Sequence, residues 1–448
     1  MKILNIKNRR EVFSLIAILL IFFYFGVYLI LIVEKGVSPD EDYHINTSKL
    51  YSQTLLIPEN SEETYELGDV TRTPYLSFWI NGRILNLNFT QVTDIVILRF
   101  FNLILSTGSL IVVYLISKEI INKKYFNLLP VSLLSNTLMF AFLSSSVNYD
   151  NLAHLFIFLT FYFLIKFFKY KKSSALLYLV IFQALAMLTK VTMSAVVFIE
   201  VLILLVYLFR NRDIKLIFKE VIDKYKVLVF ISGVLVILVL FLYGGNILKY
   251  GQIRVDCDKI LTTEQCMENY SFSNVAELES FEINSFSDLR RAGIGKLTPT
   301  EYLSSWFFLM VRQTYGIYAH KDSLMKPYLA NLYVVLFSIL SIILIKKFKR
   351  EDFVEKKLLI IIGFYTFILI VFQNYRTYLL RDSFEYDIHG RYIFPVLPLI
   401  YILFVKYLTK VESKWLKYSL IFLLYTVFLL GCIPYFFIVV NNNWLLKF

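Results

Sequence analysis

The sequence predicts an all-α fold, a polytopic membrane helical bundle with about eleven transmembrane helices, and three observations carry that prediction. Apolar residues make up 58% of the 448 and mean hydropathy is positive at +0.63, beyond what a soluble core of this length uses. Apolar runs of spanning length recur along the whole chain. Lys and Arg collect in alternate connections between those runs, as the positive-inside rule requires.

The runs lie at 12–33, 95–116, 126–146, 152–168, 175–189, 191–209, 227–243, 329–345, 358–372, 392–408 and 417–438. The first follows "MKILNIKNRR" and lacks a small-residue cleavage site, so it reads as a retained signal anchor with a cytoplasmic N-terminus. Threading the others places "KEIINKK", "KYKK", "RNRDIKLIFKEVIDKYK", "KKFKREDFVEKK" and "KVESKWLK" on that same side. The opposite side then receives 34–94, "VNYDN", the turn at Lys190, 244–328 and 373–391. The net charge of +12 orients the chain in the bilayer and gives no reason to expect nucleic acid.

Three regions follow: a transmembrane module over 1–243 whose first outer loop is 34–94, a long extracytoplasmic loop over 244–328, and C-terminal transmembrane helices over 329–448. Both long loops hold aromatic stretches too short to span, "TPYLSFWINGRIL" and "YLSSWFFLMV", which suit helices lying in the interface. Cys257 and Cys266 share one polar loop and can pair there if it lies outside the cytoplasm, whereas Cys432 sits in an apolar run. The Asn-x-Ser/Thr triplets at Asn46, Asn88 and Asn269 matter only in a eukaryotic secretory pathway, to which nothing else points.

Titratable residues concentrate at the outer ends of the spans. "SPDEDYH" reads as a capping box, with Ser38 as N-cap, Pro39 in the first helical position and Glu41 in the third. A cap needs one carboxylate and this stretch has three. On a helix begun at Pro39, Asp40 and His44 share a face, where Asp40 is placed to act as a general base. "VNYDNLAH" puts Asn148, Tyr149 and Asp150 at the junction of the third and fourth spans, with His154 one turn on. Lys190 in "LTKVT" either snorkels or meets a phosphate. "DIHGRYIFPVLP" brings His389, Arg391 and Tyr392 to the entry of the tenth span, where a guanidinium suits phosphate recognition. Arg99, isolated in "ILRFFN", is expected to pair with a carboxylate of the first loop.

Together, Pro39-Asp40-Glu41-x-x-His44, Asn148-Tyr149-Asp150, Leu188-Thr189-Lys190 and Gly390-Arg391-Tyr392-x-x-Pro395 resemble an uncharacterised membrane family of the GT-C glycosyltransferase superfamily. The match runs in order over nearly the whole chain, although Asp42-Tyr43 stands where that family commonly has Pro-Ala. The resemblance implies a catalytic Asp in the first outer loop, a long outer loop after the seventh span and a polyprenyl-phosphate sugar donor. Carried over by position, Asp40 is the base with Glu41 and His44 as companions.

The activity expected is transfer of a sugar from that lipid-linked donor to an acceptor at the outer face of a bacterial cytoplasmic membrane. The acceptor class is left open among a cell-envelope glycan, a lipid and a protein. Arg391, Lys190, Arg72 and His389 are the candidates for the donor phosphate, and Asp150, Tyr149, Asn148 and Tyr392 for acceptor or supporting contacts. No metal-ligand spacing is present, though carboxylates beside a phosphate can recruit a divalent cation. Two alternatives are a flippase for lipid-linked glycans and an envelope glycan polymerase or ligase. Against a flippase, no repeated halves or midplane charges interrupt the spans.

Overall fold

In a computed structural model of the chain, the described residues are 9–66, 74–210, 220–253, 255–268, 297–317, 325–381, 388–440 and 444–446. Arg72 and Asn269 lie outside them. The described residues build an all-α, polytopic membrane bundle with one isolated bridge between Val33 and Leu445. Among the described residues eight helices are long and apolar enough to cross a membrane: Arg9–Ile32, Asp94–Ile120, Tyr149–Tyr170, Met193–Arg210, Lys226–Tyr250, Pro327–Lys347, Phe353–Leu379 and Lys414–Val439.

The other three expected spans depart from simple helices. The third is broken into Phe126–Ser135 and Leu138–Ser144, bent by 68°. At the break Thr137 Oγ1 donates to the Leu133 carbonyl at 2.9 Å, an acceptor that a continuing helix would use, while the Thr137 N–H turns to the Leu134 carbonyl at 3.0 Å. The fifth and tenth are the short helices Ser173–Thr189 and Leu397–Thr409. Ser173–Thr189 ends at the buried Lys190, and Leu397–Thr409 begins only after the turn that holds the buried Arg391. Hydrophobic periodicity counts apolar residues and does not register that the 390–393 turn delays the start of the tenth.

The capping box expected at Ser38 does not form. The helix runs Glu41–Gln53, its N-cap is Asp40 in the left-handed region at φ 60°, and no side chain caps it. The Glu41 and Asp40 carboxylates are instead drawn to Arg99 and Arg391, so neither turns back onto the backbone. The aromatic stretches form the helices Leu76–Asn86 and Pro299–Tyr315, the second with a capping box of its own between Thr298 and Glu301. Leu76–Asn86 packs on Glu41–Gln53 at Gly82, where a Cβ would lie 2.8 Å from the Ser52 backbone nitrogen. Arg83 reaches across the same contact to the carbonyls of Tyr51 and Thr54. Cys257 and Cys266 are disulfide-bonded and buried against Tyr65.

Candidate active site

The site is built where four connections meet at one end of the bundle. Asp40 follows the first span, Asn148 to Asp150 open the Tyr149–Tyr170 helix, Lys190 ends Ser173–Thr189, and Arg391 lies in the turn Gly390–Ile393. Asp40 is held there by its neighbours. Glu41 is fully buried, and its carboxylate accepts from Arg99 Nε at 2.8 Å and Nη2 at 2.6 Å and from the Val147 backbone N–H at 3.0 Å. Arg99 also donates to the carbonyls of Ile30, Val33 and Glu34 at 3.2, 2.7 and 3.2 Å. Asn148 Nδ2 donates to the Pro39 carbonyl at 3.2 Å. The expected pairing of Arg99 with a first-loop carboxylate is therefore what the structure shows, and it occupies the carboxylate that the sequence grouped with Asp40.

Arg391, itself 8% exposed, stands between two carboxylates. Its Nη2 donates to Asp40 Oδ2 at 2.6 Å and its Nε lies 3.9 Å from Asp150 Oδ2. Asp150 is fully buried and its Oδ1 accepts from Lys190 Nζ. Arg391 Nη1 and Asp150 Oδ2 are buried without a hydrogen-bond partner among the described residues. The Asp40 side chain is 44% exposed, so it alone of the four charged groups faces open space. Burial opposes ionisation of Asp40, but the charge of Arg391 and its hydrogen bond hold the carboxyl well below the usual range.

Three of the chain's four histidines, His44, His154 and His389, are buried around this tetrad, while the fourth, His320, lies outside the described residues. Burial pushes His44 down to about 4 against the pull of Asp40 and Asp150, so it is neutral at pH 7. Burial, then Arg391, holds His389 well below its ordinary value, and its Nδ1 accepts from the Arg391 N–H at 3.3 Å. His44 stacks among aromatic rings, 4.5 Å from Tyr149 and 5.6 Å from Phe78 between centroids. Lys190 Nζ lies 4.8 Å over the Tyr149 ring and 5.7 Å over that of Tyr392, a cation–π arrangement.

All the sequence-predicted site residues within the described regions thus fall in one cluster, from Asp40 through Tyr392. The sequence reading did not find Phe78, nor the Asn102–Asn151 pair at 3.0 Å that braces the Asn148 turn. Asn102 inside "FFNLIL" was the available signal, a lone amide in an apolar run. Beside the cluster, a cavity of about 410 Å3 opens between Pro299–Tyr315, Pro327–Lys347, Phe353–Leu379 and Leu397–Thr409. Its lining is almost wholly apolar, including Trp306, Phe337, Leu359, Ile393 and Phe404, and the volume lies in the range of small-molecule sites. Thr314 joins it to the charged cluster, lining the cavity with its Oγ1 3.4 Å from the Gly390 carbonyl oxygen. Among the described residues no three His, Cys, Asp or Glu side chains converge as metal ligands. The Asp40 and Asp150 oxygens face cations, an arrangement that does not fit a divalent ion.

Residues 72–243 match the family described as dolichyl-phosphate-mannose-protein mannosyltransferase. That match bears out the resemblance to the GT-C superfamily read from the motifs. It includes Arg99, Asp150 and Lys190, and Asp40 and Arg391 lie outside it. Similar solved structures include ArnT from Cupriavidus metallidurans bound to undecaprenyl phosphate, at 12% identity and TM-score 0.48 over 90% of this chain and 60% of that one. The archaeal oligosaccharyltransferase AglB from Archaeoglobus fulgidus, in complex with an inhibitory peptide and a dolichol-phosphate, is similar at 10% identity and TM-score 0.45, over 95% of this chain and 55% of that one. The chain spans a little over half the length of these proteins. No curated protein matches it.

Proposed function

We propose that the chain is an integral membrane glycosyltransferase of GT-C type, moving a sugar from a polyprenyl-phosphate donor to a hydroxyl of an acceptor outside a bacterial cytoplasmic membrane. One observation carries the reading: a buried arginine with an unpartnered Nη1 pairs with a half-exposed carboxylate, in a turn whose Ile393 lines an apolar cavity. A lipid phosphate needs that combination, since its head requires cationic donors and its chain an apolar trough. The family match supports it independently.

In this reaction Asp40 takes the proton of the acceptor hydroxyl, and the oxygen attacks the anomeric carbon from the face opposite the phosphate. The bond from that carbon to the phosphate oxygen breaks, and the lipid phosphate leaves with the bonding pair. A single displacement of this kind inverts the configuration. Arg391 and Lys190 stabilise the charge that grows on the departing phosphate, the task for which fixed donors in a dry site are most effective. Tyr149, Tyr392 and His44 wall the sugar, and Asn148 and Glu41 hold the backbone on either side of Asp40.

The test is transfer from a synthetic polyprenyl-phosphate sugar by the purified chain in detergent, where no second compartment exists for a flippase to fill. Turnover that falls at least ~100-fold in Asp40→Asn supports the assignment, being the scale of a general base. Absence of transfer to glycan, lipid and peptide acceptors alike, with lipid-linked glycan crossing reconstituted vesicles, would establish the flippase instead.

A further inference from the structure

His44 carries more hydrogen-bonding capacity than its surroundings use. A neutral imidazole has one N–H donor and one bare nitrogen that accepts. Both His44 ring nitrogens are buried without a hydrogen-bond partner among the described residues, and the side chain is 1% exposed. Of the other two buried histidines, His389 meets the Arg391 N–H and His154 has Nδ1 alone unpartnered. Stacking on Phe78 at 24° and lying beside Tyr149 needs only a flat ring, and phenylalanine would supply that without stranding two polar atoms. The position is therefore built for a polar group that the chain itself does not provide.

We infer that His44 reads a hydroxyl of the donor sugar and that this sugar is uncharged. The inference rests on the transferase reading and adds to it the class of sugar carried. Its geometry runs through the half-buried ring of Tyr149, which has Lys190 Nζ 4.8 Å from its centre and the His44 ring 4.5 Å away. A sugar whose phosphate meets Lys190 and Arg391, and whose ring lies along Tyr149, brings the hydroxyls far from its anomeric carbon to His44. A hydroxyl both donates and accepts, so it serves either ring nitrogen whichever one carries the proton. Charged substituents are served poorly. Burial keeps the imidazole neutral near pH 7, so it cannot balance a sugar carboxylate. An ammonium would find one acceptor there and leave the N–H without a partner.

The test separates the sugar from the lipid phosphate that carries it. Binding to the full chain in nanodiscs is measured for farnesyl phosphate and for farnesyl phosphate bearing glucose, mannose or galactose, with the bare lipid as the control for an intact site. In wild type at least one hexose should tighten binding at least ~10-fold over the bare lipid, the scale of one well-made hydrogen bond or more. His44→Phe keeps the stacking, so it should bind the bare lipid as wild type does and lose about that factor for the hexose. His44→Gln keeps a donor and an acceptor and should recover part of the loss. One monodeoxy form of the preferred hexose should lose the same factor in wild type and nothing further in His44→Phe. Equal weakening of bare and sugar-bearing lipid in His44→Phe would make the residue structural and overturn the inference. It is also overturned, with the transferase reading left standing, if no hexose improves on the bare lipid or if glucuronic acid or glucosamine is bound as tightly as the best hexose. Should His44→Phe not fold, the monodeoxy series on wild type decides, and a loss at no position overturns the inference. A wild type that binds neither bare nor sugar-bearing lipid would remove the transferase reading itself.

Discussion

Glu41→Gln separates holding the site from performing its chemistry. The substitution removes the negative charge that faces Arg99, whose side chain is 3% exposed, and leaves a nearly buried guanidinium without its counter-ion. Breaking a buried pair from one side costs about 3–5 kcal/mol. The lower end applies, because Arg99 keeps the carbonyls of Ile30, Val33 and Glu34 and the new amide oxygen can still accept one of its bonds. Arg99→Met strips the same cluster from the other side. It abandons three carbonyls and leaves the fully buried Glu41 with the Val147 N–H as its remaining hydrogen-bond donor among the described residues, so it should cost more, about 5 kcal/mol. Reversible unfolding in mixed micelles gives both values, with a loss of about 3 kcal/mol corresponding to roughly a hundredfold change in the folding constant. Where both proteins are folded, Glu41→Gln should lose far less transfer than Asp40→Asn. A Glu41→Gln protein as stable as wild type yet as inactive as Asp40→Asn would refute the reasoning and place Glu41 in the chemistry.

Three further expectations follow from the same geometry. Arg391→Lys keeps the charge but loses the planar fork, so apparent donor affinity should fall roughly tenfold in donor titrations at saturating acceptor. At Gly390 a Cβ would lie 2.4 Å from the Gln313 carbonyl carbon, so Gly390→Ala must push the Arg391 turn off the Pro299–Tyr315 helix. Transfer should drop at least ~10-fold there and stay unchanged in Gly363→Ala, where nothing lies within 4 Å of the added carbon. His44 is buried neutral with its pKa near 4, below its unfolded value of about 6.5, so the unfolded chain takes the proton first. Stability should therefore be indifferent to His44 above pH 6.5 and fall by up to about 1.4 kcal/mol per pH unit between 6.5 and 4, with His389 acting in the same direction. His44→Phe should flatten that slope in unfolding measured across the range, and an unaltered slope would show that other groups cause it.

By itself the sequence determined the membrane class, the order of the apolar runs and the set of residues that gather at one end of the bundle. These are legible because hydropathy and local motif are properties of neighbouring positions. The Asp40 motif, the Asp150 junction, Lys190 and Arg391 each announced themselves as charges at span ends, where an unneeded charge costs free energy. Partnership was not legible, because it joins residues far apart in the chain. Arg391 meets Asp40 across 351 positions, and Arg99 meets Glu41 across 58. Local rules pointed to a cap at Ser38, and the tertiary structure overrode them, since a buried guanidinium needs a carboxylate more than a helix end needs a cap. The same competition decided that Asp40 is left half-exposed beside Arg391 while Asp150 is sealed beside Lys190. Only the packing of the bundle sets which carboxylate is sealed and which stays half-exposed.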